Sequence, residues 1–309
     1  MTFKEERLMR RRCLAWFVLA MLTPCVLGAQ AASAGPQRIN YGTADTSFGE
    51  LLVPVGTGPF PVAVLLHGGC WLSTRSGLRD MREIAGMLAR HGVASWNVEY
   101  RRVGHEGGGW PGTFRDLSDA TDFVRELART HPVDPQRVVV VGHSSGGYFA
   151  AWIAGRHNLP PGNPLVGSAP LKLAGLVLLD AFLDPRVIDS QGVDGRLFCD
   201  EPVLPRLIGG APESVPDQLR QASPLALLPF RVPQEYVVSS LRYPVTPARP
   251  LAGGRITLAV LDYPVLAKQA GDGVTVQIVP DADHFDFLRS DRDAWKAVEA
   301  AVVRIFRPR

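Results

Sequence analysis

A serine stands among glycines in the segment Gly142-His143-Ser144-Ser145-Gly146, which has the spacing of a nucleophile on a tight turn. The valine run 138–141 before it predicts a strand, and 147–154 after it predicts a helix. Glycines let the chain turn sharply between the two, so that the Ser144 hydroxyl projects above the sheet. A hydroxyl held in this way is typical of nucleophilic catalysis through a covalent intermediate.

A second glycine-rich segment, His67-Gly68-Gly69-Cys70-Trp71, follows another apolar run. Acyl transfer needs hydrogen-bond donors for the oxyanion of its tetrahedral intermediate, and glycines let main-chain N–H groups turn into a site. We assign these donors to the main chain of Gly69 or Cys70 together with that of Ser145. His67 is interpreted as a structural hydrogen-bonding residue, and Cys70 as acting through its main chain.

His284, near the C-terminal end of the chain, is the candidate general base. A serine hydroxyl is a poor nucleophile at its ordinary pKa and needs a neighbouring base, usually a histidine that follows it in the chain. We expect the side chain of His143, inside the serine turn, to point away from the site. Apart from His67, the remaining histidines fall at predicted helix ends or in loops. They are His91, His105, His131 and His157.

Short apolar runs alternate with helix-like stretches along the chain. The predicted strands are 60–66, 93–100, 138–141, 173–179 and 274–279, and the predicted helices are 77–90, 114–130 and 293–306. Unbroken valine and leucine runs suit strands that are covered on both faces, so we predict an α/β protein with a mainly parallel sheet and crossover helices. Residues 158–172 and 184–233 are interpreted as loops and short helices, with a cap beside the site.

The first 31 residues predict a secretory signal peptide. A basic start, an apolar stretch over 14–27 and small residues at Ala29-Gln30-Ala31 have the required order. Its removal takes away five basic and two acidic side chains and leaves 28 of each, so the net charge of +3 becomes zero. A neutral domain at 32–309 gives no reason to expect binding to nucleic acid or insertion into a membrane. We therefore expect a secreted or periplasmic protein; an uncleaved anchor is the alternative.

Only two cysteines lie outside this signal, Cys70 and Cys199. An oxidising compartment permits a disulfide between them, and the sequence leaves open whether they are bridged. The sequence has no CxxC pair and no close group of histidine, cysteine and aspartate. We therefore expect no bound metal and no cofactor.

Several segments, spread through most of the chain after residue 31, match the pattern of a known protein family. They are HGGCW at 67–71, Tyr100-Arg101, Trp110-Pro111, Asp116, GHSSGG at 142–147, Gly209-Gly210, Ala222-Ser223-Pro224 and His284-Phe285. With these residues the chain resembles the serine esterases of the α/β-hydrolase superfamily, in the branch of kynurenine-formamidase-like enzymes and small carboxylesterases. The resemblance implies an α/β-hydrolase fold, with a mostly parallel central sheet and helices on both faces.

The acid of the implied Ser-His-acid triad is not where the resemblance places it. Tyr243 occupies that position, and a tyrosine is not anionic near neutral pH. Asp180 follows the preceding predicted strand, where some lipases of the superfamily carry their acid, and Asp262 lies in an apparent insertion. We favour Asp180, because catalytic groups of open α/β sheets collect at the carboxyl ends of strands. A third possibility is that neither aspartate is the acid of the triad.

The resemblance implies that a small-molecule ester, or a formamide by related chemistry, is cleaved through an acyl-enzyme. Ser144 would attack, His284 would shuttle the proton, and Asp180 would orient the imidazole. The alternative is a non-catalytic binding protein with the same fold, suggested by Tyr243. The intact serine turn (142–146), the intact oxyanion loop that contains 67–71, and His284 argue against that alternative.

Overall fold

Ten strands lie among the residues that the computed structural model describes, which are 35–167, 169–189, 197, 199–239, 250–251, 255–256 and 262–307. They are β1 (Gln37–Asn40), β2 (Phe48–Leu52), β3 (Phe60–Leu66), β4 (Ala94–Val98), β5 (Val133–His143), β6 (Gly175–Leu179), β7 (Gln234–Ser239), β8 (Pro250–Leu251), β9 (Arg255–Ile256) and β10 (Val274–Val279). Eight of them form one sheet in the order β1-β2-β4-β3-β5-β6-β7-β10, and β8 pairs with β9 apart from it.

Eight α-helices accompany these strands in the described part of the chain. They are α1 (Arg82–Arg90), α2 (Gly112–Asp122), α3 (Val124–Thr130), α4 (Ser145–Gly155), α5 (Leu204–Ile208), α6 (Pro216–Ala222), α7 (Asp262–Gln269) and α8 (Ala294–Phe306). Short 3-10 turns lie at Leu78–Met81, Arg156–Asn158, Pro185–Val187, Pro224–Leu227 and Asp286–Leu288. The predicted helix over 114–130 is two helices that break at Phe123, and β5 is longer than the predicted strand.

The sheet is parallel from β4 to β10, and only β1 and β2 run antiparallel to their neighbours. Alternate residues of β3 belong to opposite faces: Val62, Val64 and Leu66 pack in one apolar cluster, and Ala63 and Leu65 in the other. The first cluster includes buried residues of α2 and α4, and the second those of α1 and α8. Both faces are therefore covered by helices, which confirms the predicted α/β class.

The register brings the carboxyl ends of the central strands to one edge of the sheet. Leu66 of β3 is paired with Gly142 of β5, and His143 is paired with Leu179 at the end of β6. Ser239, the last residue of β7, is paired with Val279 of β10. The loops that follow these strands consequently meet above one edge, where ligand sites of open α/β sheets form.

Candidate active site

Ser144 occupies the turn between β5 and α4. Its backbone has φ 55° and ψ −124°, and it is the N-cap residue of α4. This conformation is strained for a residue with a side chain, and such strain concentrates at functional positions. The Ser144 N–H donates to the carbonyl of Leu179 (2.9 Å), and its own carbonyl accepts the N–H of Gly147 (2.9 Å). The turn is thus fixed both to β6 and to the start of the helix.

Glycines around Ser144 let the turn lie against the neighbouring strands. A Cβ at Gly146 would lie 2.5 Å from the carbonyl oxygen of His67 and closer still to that of Leu66. A Cβ at Gly142 would overlap the carbonyl oxygen of Gly146. The clashing atoms belong to the backbone, so they cannot rotate aside. The glycine pattern is therefore a packing requirement of the serine turn.

Gly146→Ala is expected to lower the free energy of unfolding by about 3 kcal/mol, because the added methyl group meets main-chain oxygens that cannot move. Urea denaturation measures this change. Gly273→Ala is the matched control: a Cβ there meets nothing within 4 Å, so stability should stay within about 1 kcal/mol of the wild type. Equal denaturation midpoints for Gly146→Ala and the wild type would show that the turn does not require this close approach.

His284 lies in the loop after β10, and its ring contacts Asp180 at the end of β6. His284 Nδ1 lies 2.5 Å from Asp180 Oδ2, and the two side chains are buried. The other carboxylate oxygen, Oδ1, accepts the N–H of Ser239 (2.9 Å), and the Asp180 N–H donates to the carbonyl of Val237 (2.8 Å). The carboxylate is therefore held by the end of β7. A carboxylate at Nδ1 keeps the hydrogen on that nitrogen and leaves Nε2 as the basic atom.

The side chains of the other two positions considered for the acid, Tyr243 and Asp262, are not described by the structure. Tyr243 lies outside the described residues. Asp262 is the first residue of α7, and its side chain also lies outside the described part of the structure. Among the three positions, Asp180 is the one whose carboxylate is seen against His284.

A tyrosine lies beneath the aspartate. Tyr236 is buried, and its hydroxyl donates to the carbonyl of Ala181 (2.8 Å), next to Asp180. Burial, and then the charge of Asp180, raise the pKa of Tyr236 well above its ordinary value. Tyr236 therefore stays neutral and supports the turn after β6 by hydrogen bonding.

The expectation that His143 points away from the site is wrong. Its Nε2 lies 2.8 Å from the carbonyl oxygen of His284, and the centroids of the two rings are 4.5 Å apart. A carbonyl only accepts, so His143 Nε2–H donates to it. As the last residue of β5, His143 directs its side chain toward the loop after β10, which local sequence does not reveal. It fixes the main chain that carries His284.

The loop after β3, residues 67–77, brings two candidate oxyanion donors, Gly69 and Cys70, toward Ser144, and the third, Ser145, is the first residue of α4. Gly69 and Cys70 have φ 119° and 53°, and a Cβ at Gly68 would lie 3.0 Å from the Cβ of Ser144. In the described part of the chain, no acceptor receives the N–H of Gly69, Cys70 or Ser145. Unpaired main-chain N–H groups beside a nucleophile are the arrangement that stabilises an oxyanion.

A buried network supports this loop from below, and within it His67 is a structural hydrogen-bonding residue, as predicted. His67 Nδ1–H donates to the carbonyl of Gly68 (2.8 Å), and Nε2 lies 3.2 Å from Glu99 Oε1. Arg102 donates to the same carboxylate oxygen (3.2 Å) and to the carbonyls of Leu72 and Ser76. The two ends of the oxyanion loop are thereby linked through one carboxylate. The roles of Glu99 and Arg102 were not predicted, and the EYRR segment at 99–102 is the one sequence feature that could have indicated them.

Glu99→Gln is expected to lower the free energy of unfolding by about 3 kcal/mol at neutral pH, because Arg102 keeps its buried charge and loses its counter-ion. Burial alone raises the pKa of Glu99, but the hydrogen bond and charge of His67 and the charge of Arg102 hold it below its ordinary value of 4.5. The folded protein thus binds this proton less readily than the unfolded chain. The difference between variant and wild type should be full above pH 4.5 and shrink as the pH falls below it.

Urea denaturation of the wild type and of Glu99→Gln at a series of pH values measures this difference in the free energy of unfolding. Glu126→Gln is the control, because the Glu126–Arg129 pair is exposed and should contribute less than about 1 kcal/mol. A Glu99→Gln effect as small as that of the control, or one that grows on acidification, would contradict the assigned role of Glu99.

Ser144 and His284 open onto one cleft of about 400 Å³. Its lining residues are Gly69, Cys70, Arg75, Ser76, His143, Ser144, Cys199, Asp200, His284 and Phe285. Cys70 and Cys199 form a disulfide, which answers the question that the sequence left open. The described residues contain no group of three or more potential metal ligands and no helix long and apolar enough to cross a membrane.

Known proteins share this architecture. The Thermogutta terrifontis esterase Est2 superimposes with a TM-score of 0.65 at 19% identity, over 87% of this chain and 91% of that chain. A bacterial heroin esterase gives 0.65 at 20% identity over 91% and 86%, and esterase B from Lactobacillus rhamnosis (HN001) gives 0.67 at 15% over 90% and 86%. These similarities establish the α/β-hydrolase fold that the resemblance implied.

Two further similarities are found at the level of sequence. The non-reducing polyketide synthase stbA of Stachybotrys bisbyi is 29% identical in an alignment of 117 residues that covers 35% of this chain. The chain spans only about 5% of the length of that relative. The BD-FAE family model matches residues 51–233, more than half of the chain, and includes the oxyanion loop, the serine turn and Asp180. The chain belongs to the BD-FAE family.

Proposed function

We propose that the protein is a serine hydrolase that cleaves carboxylic esters through an acyl-enzyme. The observation that carries the proposal is the contact between His284 Nδ1 and Asp180, beside a strained serine that lines the same cleft. An orienting carboxylate, a histidine and a serine hydroxyl that lines a cleft are the parts of a catalytic triad. They occur here in the chain order serine, acid, histidine.

In the proposed reaction, Ser144 attacks the ester carbonyl while His284 Nε2 takes the hydroxyl proton. The negative charge on the carbonyl oxygen is received by the N–H groups of Gly69, Cys70 and Ser145. His284 then gives the proton to the departing alcohol, and an acyl group remains on Ser144. A water molecule, activated by the same nitrogen, releases the acid and restores the serine. Asp180 stabilises the imidazolium that forms in both halves of the reaction.

Esters of short acids are the proposed substrate class. The cleft is small, at about 400 Å³, and Cys70, Cys199 and the half-exposed Phe285 supply apolar walls. Among proteins of the same fold, the Thermogutta terrifontis esterase has been observed with propionate and with butyrate bound. Formamides are attacked by the same chemistry and belong in the test because of the kynurenine-formamidase resemblance.

The non-catalytic alternative depended on the tyrosine at the expected acid position. Asp180, seen against His284, supplies a carboxylate from another strand and removes that reason. Export through an N-terminal signal peptide remains part of the proposal. The Cys70–Cys199 disulfide supports it, because such bonds persist mainly in oxidising compartments.

A panel of p-nitrophenyl esters of increasing acyl length, with N-formylkynurenine added, tests this function on the purified protein. We expect the highest kcat/KM for the short acyl chains. If the wild type hydrolyses no member of the panel faster than the Ser144→Ala variant does, the proposed function is overturned. Faster turnover of N-formylkynurenine than of every ester would move the assignment to formamide hydrolysis.

A further inference from the structure

The disulfide joins the oxyanion loop to a distant segment that forms the facing wall of the cleft. Cys70 directly follows Gly69, and Cys199 lies 129 residues further along the chain. Both cysteines line the cleft that contains Ser144. The crosslink therefore lies within the proposed active site, next to the main-chain groups that would bind the oxyanion.

Among the described residues, the disulfide is the only covalent or hydrogen bond from Cys70 to another segment, and Cys70 also packs against the larger apolar cluster. Neither the main chain nor the side chain of Cys70 makes a hydrogen bond with described residues. The adjacent parts of the loop are held differently: Val103 N–H donates to the carbonyl of Trp71 (2.9 Å), and Ser73 N–H donates to that of Val103 (2.9 Å). These bonds, and the bond from the Leu72 N–H to the carbonyl of Gly69 (2.9 Å) that closes the turn around Cys70, hold the main chain on both sides of this residue. The sulfur bridge adds the bond that ties Cys70 itself to the facing wall of the cleft.

Cys199 offers a firm anchor for this bridge. Cys199 is only 2% exposed and packs in the larger apolar cluster together with Val203 and Leu207. Arg75, from the oxyanion loop, donates to the carbonyl of Cys199 (3.3 Å) and to the carboxylate of Asp200 (3.0 Å). This ion pair is largely exposed, and exposed pairs contribute little, so it is a weak substitute for the covalent bond.

We propose that the Cys70–Cys199 disulfide positions the Cys70 N–H as an oxyanion donor, so that the full rate of hydrolysis requires the oxidised protein. This inference rests on the proposed function. Loss of one oxyanion donor lowers kcat about 100-fold in other hydrolases, so a displaced donor should cost at least about tenfold. Substrate binding in the ground state depends much less on this group, and KM should change little.

Reduction is a dithiol–disulfide exchange that consumes one reductant molecule. One thiolate of the dithiol attacks the sulfur of Cys70, which is the more exposed cysteine, and expels the thiolate of Cys199. The second thiol of the reductant then displaces Cys70 from the mixed disulfide. Two electrons and two protons pass to the protein, giving two thiols, and the reductant becomes a cyclic disulfide.

Dithiothreitol treatment of the folded protein tests the proposal directly. Thiol titration must first show two more thiols than in the untreated protein, and circular dichroism must show an unchanged fold. The measured quantities are kcat and KM for p-nitrophenyl acetate and the inhibition constant of a trifluoromethyl ketone, whose adduct places an oxyanion at the site. We expect kcat to fall at least about tenfold and the inhibition constant to rise by a similar factor. Removal of the reductant in air should restore both values.

Cys199→Ser is the matched variant, because it removes the bridge and keeps the main chain of Cys70. It should show the lowered kcat from the start and no response to dithiothreitol; if it does not fold, the reduced wild type decides alone. Equal kcat before and after reduction would overturn the inference and leave the proposed function standing. A raised KM with an unchanged inhibition constant would also overturn it. An oxidised protein that hydrolyses no ester would overturn the proposed function, and this inference with it.

Discussion

Ser144→Ala is expected to lower kcat for an activated short-chain ester about 10⁶-fold, because it removes the atom that forms the acyl-enzyme. The oxyanion donors and the cleft remain, so a small rate above the uncatalysed reaction should persist. Stopped assays at high enzyme concentration measure this residual rate. The free energy of unfolding should be unchanged or higher, because the hydroxyl has no structural hydrogen bond among the described contacts of Ser144.

Ser214→Ala provides the matched control, because Ser214 is exposed in the loop before α6. Its kcat should equal that of the wild type. A Ser144→Ala variant that keeps a tenth or more of the wild-type kcat would show that another group is the nucleophile. Loss of activity in both variants would point to damage to the preparation, and thus would not support the role of Ser144.

Asp180→Asn should lower kcat about 10⁴-fold while the protein stays folded. The asparagine oxygen can still accept the N–H of Ser239, so the end of β7 keeps its hydrogen bond. The amide N–H₂ can no longer accept from His284 Nδ1, which favours the imidazole tautomer with its hydrogen on the wrong nitrogen. The charge that stabilises the imidazolium is lost as well. Measurement of kcat with an activated ester, beside a denaturation curve, separates the catalytic effect from stability.

Asp262→Asn is the control for this prediction, because Asp262 is the other aspartate that the sequence suggests as the acid. Its kcat should stay within about threefold of the wild type, in the range of substitutions outside a catalytic unit. The opposite pattern, a large loss for Asp262→Asn and a small one for Asp180→Asn, would transfer the role of the acid to α7. Small effects of both substitutions would mean that the reaction proceeds without a triad acid.

Local sequence predicts the central strands well because each is a short apolar run covered on both faces. Among the central strands, β3 has the predicted limits and β6 begins two residues later than predicted. The edge strand β10 also has the predicted limits, and α8 differs from prediction by one residue. The break between α2 and α3 at Phe123 was missed, because the apolar spacing continues across it. Hydrophobic periodicity reports which side of a helix is buried, and it does not report where a chain bends.

Sequence singles out Ser144 and His284 as candidates because Ser144 stands in a recognisable turn and His284 follows it in the chain order of the superfamily. The acid is different: Asp180 and His284 are 104 residues apart, and their contact depends on the order β5-β6-β7-β10 of the sheet. The same limit explains the missed roles of His143 and Glu99. Each side chain acts on a segment brought near by strand order, and no local motif marks it.

Labelling with a fluorophosphonate probe is the most direct test of the central claim, that Ser144 is a nucleophile activated by His284 and Asp180. The probe forms a covalent bond with an activated serine, and peptide mass spectrometry locates the modified residue. We expect a single adduct on Ser144 at neutral pH in the wild type, much slower labelling in Asp180→Asn, and none in Ser144→Ala. A wild-type protein that stays unlabelled, or is labelled at another residue, would contradict this account.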